Sequence, residues 1–156
     1  MLLYMCQTAM IAGIYAALTI VLAPISFNFI QVRIAEALCI LPLFTNAAVP
    51  GLFLGCLIGN FFGGAVLTDV FFGSLATLIG AAGGYILRFN RWLVPLPTVV
   101  SNTIIIPFIL KYGYEADIPL YLSATCIFIG EMISSYLLGE ILCSLLLKQK
   151  SLFRKQ

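Results

Sequence analysis

Three carboxylates, Glu36, Asp69 and Glu131, stand within or beside long apolar stretches of this 156-residue sequence. A carboxylate inside a membrane span costs about 2.5–3.5 kcal/mol on insertion scales, so it is expected to face protein or water and to mark a functional site. The polar residues that accompany them are Gln31, Arg33, Asn60 and Asn102. We predict that these seven side chains surround a polar, substrate-binding pocket that opens towards the outer face of a membrane.

A structural role is an alternative for most of this set. Arg33 and Glu36 are three residues apart and can pair on one helical turn. Asp69 can cap the helix that follows it, and the two asparagines can hydrogen-bond to neighbouring helices. Glu131 is the hardest to explain in this way, because its own helix offers no basic neighbour.

The composition is that of a membrane protein. The chain is 62% hydrophobic and 9% charged, with a mean hydropathy of +1.12. A soluble domain of this length needs more charge to cover its surface. The apolar runs are continuous over about twenty residues, the length of a membrane-spanning helix, and lack the alternation of barrel strands. The predicted fold class is therefore an all-α integral membrane protein.

Several function classes are excluded or disfavoured by what the sequence lacks. It has no His, its five Cys show no CxxC spacing, and no phosphate-loop motif occurs. The net charge is only +2, which gives no case for nucleic acid. We predict no catalytic residue, no metal site and no cofactor in this chain.

Six apolar stretches are predicted to form six transmembrane helices in one domain over residues 1–156. Their approximate bounds are 4–23, 34–49, 50–65, 70–88, 93–110 and 118–147. The third contains glycines at a spacing of four: Gly51, Gly55, Gly59 and Gly63. Residues four apart lie on one face of a helix, so this face lets another backbone approach closely.

Basic residues predict the orientation. In a six-span arrangement six of them fall on one side: Arg88, Arg91, Lys148, Lys150, Arg154 and Lys155. This side is expected to be cytoplasmic, so both termini are predicted to lie in the cytoplasm. Glu140 lies near this side and is expected to pair with one of its cations. The expected location is the plasma membrane of a prokaryotic cell.

The runs ISFNFIQVRIAEALCILPLFTNAAVPGLFLGCLIGN and DVFFGSLATLIGA resemble the QueT family, and the resemblance covers nearly the whole chain. QueT proteins are substrate-binding (S) components of energy-coupling factor (ECF) transporters, assigned to queuosine precursors. The resemblance implies a small six-helix protein that binds its substrate outside and topples in the membrane to release it. It also implies two kinds of partner, a transmembrane coupling protein and two cytoplasmic ATPases, and the ATPases use the ATP.

The resemblance further implies where the partner docks. S components of this kind contact the coupling protein through small residues of the first span. The matching residues here are Ala9, Ala12, Gly13, Ala16 and Ala17. They form two registers of spacing four, and Gly13 stands where an alanine is usual, so the docking register stays open.

The expected substrate is a deazaguanine base or its aminomethyl derivative. Its guanine-like edge offers adjacent donors to a carboxylate, and an aminomethyl group offers a cation to a second one. A stacking face could come from Phe27, Phe29, Phe61 and Phe71, although each is equally compatible with a lipid-facing or core position.

Three alternatives remain from the sequence. One is an S component for another planar, vitamin-like compound. Another is a proton-coupled transporter in which Glu131 titrates, which the small size and the lack of an internal repeat disfavour. The third is a membrane assembly factor held together by its glycine faces. Binding of a small molecule would support either of the first two alternatives and would contradict the third.

Overall fold

The computed structural model describes residues 1–23 and 33–148, which form helices and no strand. The α-helices, numbered in chain order, are α1 (Leu2–Val21), α2 (Ala48–Phe62), α3 (Ser74–Ile86), α4 (Leu96–Tyr112), α5 (Leu120–Glu131) and α6 (Gly139–Lys148). Between them lie a long 3-10 helix (Ile34–Leu43), a first π segment (Asp69–Gly73), a short 3-10 turn (Arg91–Leu93) and a second π segment (Met132–Leu138).

Within residues 1–23 and 33–148, four continuous helical stretches are long and apolar enough to cross a membrane: Leu2–Val21, Asp69–Ile86, Arg91–Tyr112 and Leu120–Lys148. The predicted second and third spans appear as two shorter apolar helices, the 3-10 helix and α2. The all-α class is thus confirmed, whereas six crossings and the orientation stay predictions.

The 3-10 helix is central to the packing. It contacts α1, α3, α6 and the second π segment, and its residues Glu36, Cys39 and Ile40 have no exposed surface. Pro42 lies inside it and has no amide hydrogen for an α-helical bond. Because a 3-10 helix rises about 2 Å per residue, these ten residues reach about 20 Å, further than an α-helix of equal length.

The glycine face of α2 packs directly against α1. A β-carbon added to Gly55 would lie 2.7 Å from Cβ of Tyr15 and 2.8 Å from the carbonyl oxygen of Ala12. Gly51 and Gly59 meet Ile11 and Thr19 at 3.0 and 2.8 Å in the same way. The close backbone approach predicted from the glycine spacing is therefore present, and its partner is the first helix.

Candidate substrate-binding site

The first part of the site is an ion pair between Arg33 and Asp69. Arg33 Nη2 lies 2.9 Å from Asp69 Oδ2 and 3.2 Å from Oδ1, and both side chains are buried. The hydroxyl of Tyr114 donates to Asp69 Oδ2 at 3.2 Å. Burial raises the pKa of Tyr114 to about 12, and the Asp69 carboxylate adds to the shift, so the phenol keeps its proton and remains a donor.

Asn60 lies beside this ion pair and has one oxygen left open. Its Nδ2 donates to the backbone carbonyl of Asp69 at 3.3 Å. This bond orients the amide, and Oδ1 then has no hydrogen-bond partner among the described residues although Asn60 is fully buried. Asn60 thus presents a buried acceptor that needs a donor.

The second part of the site surrounds Glu36, which has no exposed surface. Tyr15 on α1 donates its hydroxyl to Oε1 at 2.6 Å, and the thiol of Cys39 donates to Oε2 at 2.8 Å. Thr77 on α3 lies at 3.5 Å from Oε1 and 3.4 Å from Sγ of Cys56. Side chains of three separate helical elements therefore hold this carboxylate in place.

The third part surrounds Glu131 at the end of α5. Asn102 on α4 donates its Nδ2 to Oε1 at 2.8 Å, and Ser135 donates its hydroxyl to Oε2 at 2.9 Å. Oδ1 of Asn102 then has no partner among the described residues, and nor does the hydroxyl of the fully buried Ser134. A second open acceptor therefore lies next to the Glu131 carboxylate.

These parts belong to one buried polar region. Glu131 lies close enough to Glu36 and Arg33 for their charges to interact. Arg33 immediately precedes the 3-10 helix that carries Glu36, and this helix packs against the second π segment, which begins just after Glu131. The charged groups thus meet where the 3-10 helix contacts the other elements.

Each of the three carboxylates lies on, or directly next to, a 3-10 or π-helical segment. Glu36 is on the 3-10 helix, Asp69 begins the first π segment, and Glu131 directly precedes the second. Stretches of π-helix inside α-helices occur frequently at functional sites, because the extra residue changes the direction of neighbouring side chains. This shared irregularity is an independent mark of a binding region.

The structure resolves several of the structural alternatives. Arg33 pairs with Asp69, 36 residues away, and Asp69 makes no side-chain cap of the helix that follows. Asn102 does bond between helices, but its partner is Glu131 itself. Glu140 lies 3.7 Å from Arg91, the pairing with a basic residue that was expected.

Some predicted residues lie elsewhere or cannot be placed. Gln31, Phe27 and Phe29 fall outside the described residues. The rings of Phe61 and Phe71 are 57% and 62% exposed on the outside of the helices, as a lipid-facing role requires.

Sequence reasoning did not include five residues that hold the carboxylates: Tyr15, Cys39, Thr77, Tyr114 and Ser135. Only two carried a local signal, since Cys39 is three residues from Glu36 and Ser135 is four from Glu131. The other three come from distant parts of the chain.

The small residues of α1 fall on two faces. Ala12 and Ala16 are buried, and Ala12 contacts Gly55 of α2. Ala9, Gly13 and Ala17 are exposed, and a β-carbon added to Gly13 would meet no atom of the described residues within 4 Å. The face of α1 that carries Ala12 and Ala16 therefore packs inside the protein, and the face that carries Ala9, Gly13 and Ala17 is available for contact with a partner.

The chain matches the QueT transporter family over residues 5–148, which is nearly its whole length. No characterised protein and no solved structure gives a match. The family match includes every charged residue of the buried region described above.

Proposed function

The chain belongs to the QueT transporter family, and we propose that it is the substrate-binding subunit of an ECF importer for a queuosine precursor. The family assigns the chain to transport rather than to catalysis. In the proposed mechanism this subunit captures a deazaguanine base or its aminomethyl derivative outside the cell. A coupling protein and two ATPases then drive its release inside.

The observation that supports this substrate best is an excess of acceptors in the buried region. Among the described residues, those both charged and buried are one cation, Arg33, and three carboxylates. Asp69 is already matched by Arg33. The region also holds two open amide oxygens, on Asn60 and Asn102. A ligand that fits it must bring N–H donors, and a positive charge would improve the fit.

An aminomethyl deazaguanine has both properties. Its amino and ring N–H groups form a donor edge for a carboxylate and an amide oxygen. Its ammonium group would offset the charge of a second carboxylate, which is unfavourable to bury without a partner. A neutral deazaguanine would satisfy the acceptors but leave that charge uncompensated. The aminomethyl form is therefore the preferred candidate of the two.

Calorimetric titration of the purified protein tests this assignment. We expect tight binding of the aminomethyl compound, weaker binding of the neutral base by tenfold or more, and no detectable binding of a pyrimidine. Mass spectrometry of small molecules that copurify with the protein provides an independent readout. Failure of both deazaguanines to bind, with a different compound copurifying, would contradict the substrate but not the transport role.

The proposed partner surface is the exposed register of α1, Ala9, Gly13 and Ala17. Its open space lets another backbone approach, as in small-residue contacts between membrane helices. Gly13→Leu should abolish assembly with the coupling protein and uptake while leaving substrate binding unchanged. Ile14→Leu, an exposed neighbour without a change in volume, is the control. Assembly that survives Gly13→Leu would exclude this surface, and uptake without the ATPases would indicate a proton-coupled transporter instead.

Orientation is part of the same proposal, with both termini in the cytoplasm. Arg88 follows the end of α3, Arg91 precedes the start of α4 and Lys148 ends α6, positions that support a common cytoplasmic side under the positive-inside rule. A cysteine introduced after Lys148 should be protected from an impermeant reagent in intact cells. Labelling of this cysteine would show that the C-terminus lies outside the cell and would contradict the proposed orientation.

A further inference from the structure

A long groove runs along the outside of the helices, away from the buried carboxylates. Its larger part has a volume of about 610 Å³ and lies between the short 3-10 turn and α6. A second part of about 450 Å³ lies between α4 and α5. Met132 and Tyr136 of the second π segment line both parts, so the two adjoin at these side chains.

One end of the groove is charged and the rest is apolar. Arg91 and Glu140 lie at the charged end, with Nε and Oε2 3.7 Å apart. The guanidinium of Arg91 stacks on the ring of Trp92 at 4.8 Å. The apolar walls include Val100, Ile104, Phe128, Leu137, Ile141 and Leu145.

At the charged end, one carboxylate oxygen lacks a hydrogen-bond donor. Oε1 of Glu140 is buried and has no partner among the described residues, while Oε2 faces Arg91. The side chain of Glu140 is still 14% exposed, so an N–H group of a ligand in the groove can donate to this carboxylate, which lacks a full set of donors. Arg91 is 42% exposed and can donate to a phosphate oxygen beside it.

The length of the groove suits a lipid chain. From Glu140 at the charged end to Phe128, its lining extends over about 18 Å at 1.5 Å per residue. One leaflet contributes about 15 Å of hydrocarbon to a bilayer, so an acyl chain that begins at the charged pair can follow the groove through a whole leaflet. Trp92 and Arg91 lie at the end where side chains of this type meet the headgroups.

We propose that this groove is a binding site for a phospholipid with a primary ammonium headgroup, of the phosphatidylethanolamine type. Its phosphate pairs with Arg91, its ammonium donates to the carboxylate of Glu140, and one acyl chain lies along the apolar walls. A choline headgroup has no N–H donor for Glu140, and a glycerol headgroup leaves a net negative charge beside that carboxylate. The chemistry of the two side chains therefore selects among common lipids.

Native mass spectrometry tests this selection with the full chain in an equimolar mixture of phosphatidylethanolamine, phosphatidylcholine and phosphatidylglycerol. We expect the ethanolamine lipid to be retained at least threefold more than either of the others. Glu140→Gln should reduce its retention to the level of the choline lipid. Arg91→Gln should reduce retention of all three.

Arg88→Gln is the matched control. It removes one positive charge from the same connection, but Arg88 stacks on Tyr85 and does not line the groove. Retention in this variant should equal that of the wild type. Equal retention of the three lipids by the wild type, or an unchanged preference in Glu140→Gln, would overturn the proposal. So would displacement of all three lipids by a partner protein at this groove.

Discussion

Two buried contacts of this protein are built in opposite ways. Between α1 and α2 the contact is made by backbone and small side chains, with Gly55 against Tyr15 and Ala12. Around the 3-10 helix the contact is made by carboxylates and their donors, with Glu36, Asp69 and Glu131 all buried. The first contact fills its space with the protein's own atoms, whereas the second leaves acceptors open.

The difference shows which part of the fold provides rigidity and which provides binding. A close glycine contact gains from dispersion and needs no ligand to complete it. A buried polar region is stable only when its groups are satisfied, and the open oxygens of Asn60 and Asn102 are not satisfied by the described residues. Substitutions in the first region should therefore affect folding, whereas those at Glu36 and Glu131 in the second should affect binding.

The largest expected effect is that of Gly55→Leu. The new side chain would meet the carbonyl oxygen of Ala12 at 2.8 Å and its Cα at 3.0 Å, and this backbone cannot move without displacing α1. We expect a loss of more than about 3 kcal/mol, beyond the usual range for overpacking because the obstacle is backbone. The measurement is the thermal midpoint of the helical signal in detergent.

Gly13→Leu is the control for this comparison, since it adds the same side chain to α1 at a position where no atom of residues 1–23 or 33–148 would lie within 4 Å of the new β-carbon. Its thermal midpoint should stay within the error of the wild type. If both variants unfold at the same temperature, the contact between α1 and α2 does not contribute as described.

The next effect is that of Arg33→Gln, which removes the cation from a buried ion pair. Asp69 would keep Tyr114 as a donor but lose its charged partner at 2.9 Å. Breaking a buried pair from one side costs about 3–5 kcal/mol, because a buried charge stays uncompensated. We expect a lower thermal midpoint, and we expect Asp69→Asn in the same chain to restore part of it. A double variant no more stable than Arg33→Gln would contradict this account.

A smaller effect, confined to binding, is expected for Glu131→Gln. The amide can still accept from Asn102, so the protein should fold, but it offers a donor where the ligand also has one. A charge-assisted hydrogen bond contributes about 1.5–3 kcal/mol, which corresponds to roughly ten- to a hundredfold in affinity. Calorimetry should show binding at least tenfold weaker, and Glu36→Gln should have the same or nearly the same effect.

Glu140→Gln is the control for these two variants, because it removes a carboxylate that faces Arg91 rather than a group of the buried region. Its affinity for the substrate should equal that of the wild type. Normal affinity in a folded Glu131→Gln protein would remove this residue from the site. Normal affinity in both site variants would refute a pocket based on carboxylates.

The contrast between the two regions also explains what the sequence could predict. The glycine contact follows from a spacing of four, which any helix converts into one face. The carboxylates could be recognised because a charge within an apolar run has few explanations. Their partners could not, since the pairing of Arg33 with Asp69 joins residues 36 positions apart. No feature of the local sequence predicts the π segments that position Asp69 and Glu131.

Tyr15 joins the two regions and is the site of the smallest predicted effect. Its Cβ lies against Gly55 in the contact between α1 and α2, while its hydroxyl donates to Glu36 at 2.6 Å. Tyr15→Phe keeps the ring in the first contact and removes only the donor. Since Cys39 still donates to Glu36 at 2.8 Å, we expect substrate binding to weaken by about three- to tenfold.

The distinguishing result is the relation between affinity and stability in this variant. A tyrosine that only fills space would leave affinity unchanged, because phenylalanine fills nearly the same volume. A tyrosine that positions Glu36 for the ligand would lose affinity with little change in the thermal midpoint. Tyr4→Phe, a half-exposed hydroxyl on the same helix, should change neither quantity. Equal affinity in Tyr15→Phe and Tyr4→Phe would show that α1 takes no part in binding. The predicted loss of affinity would show that this helix contributes to both contacts.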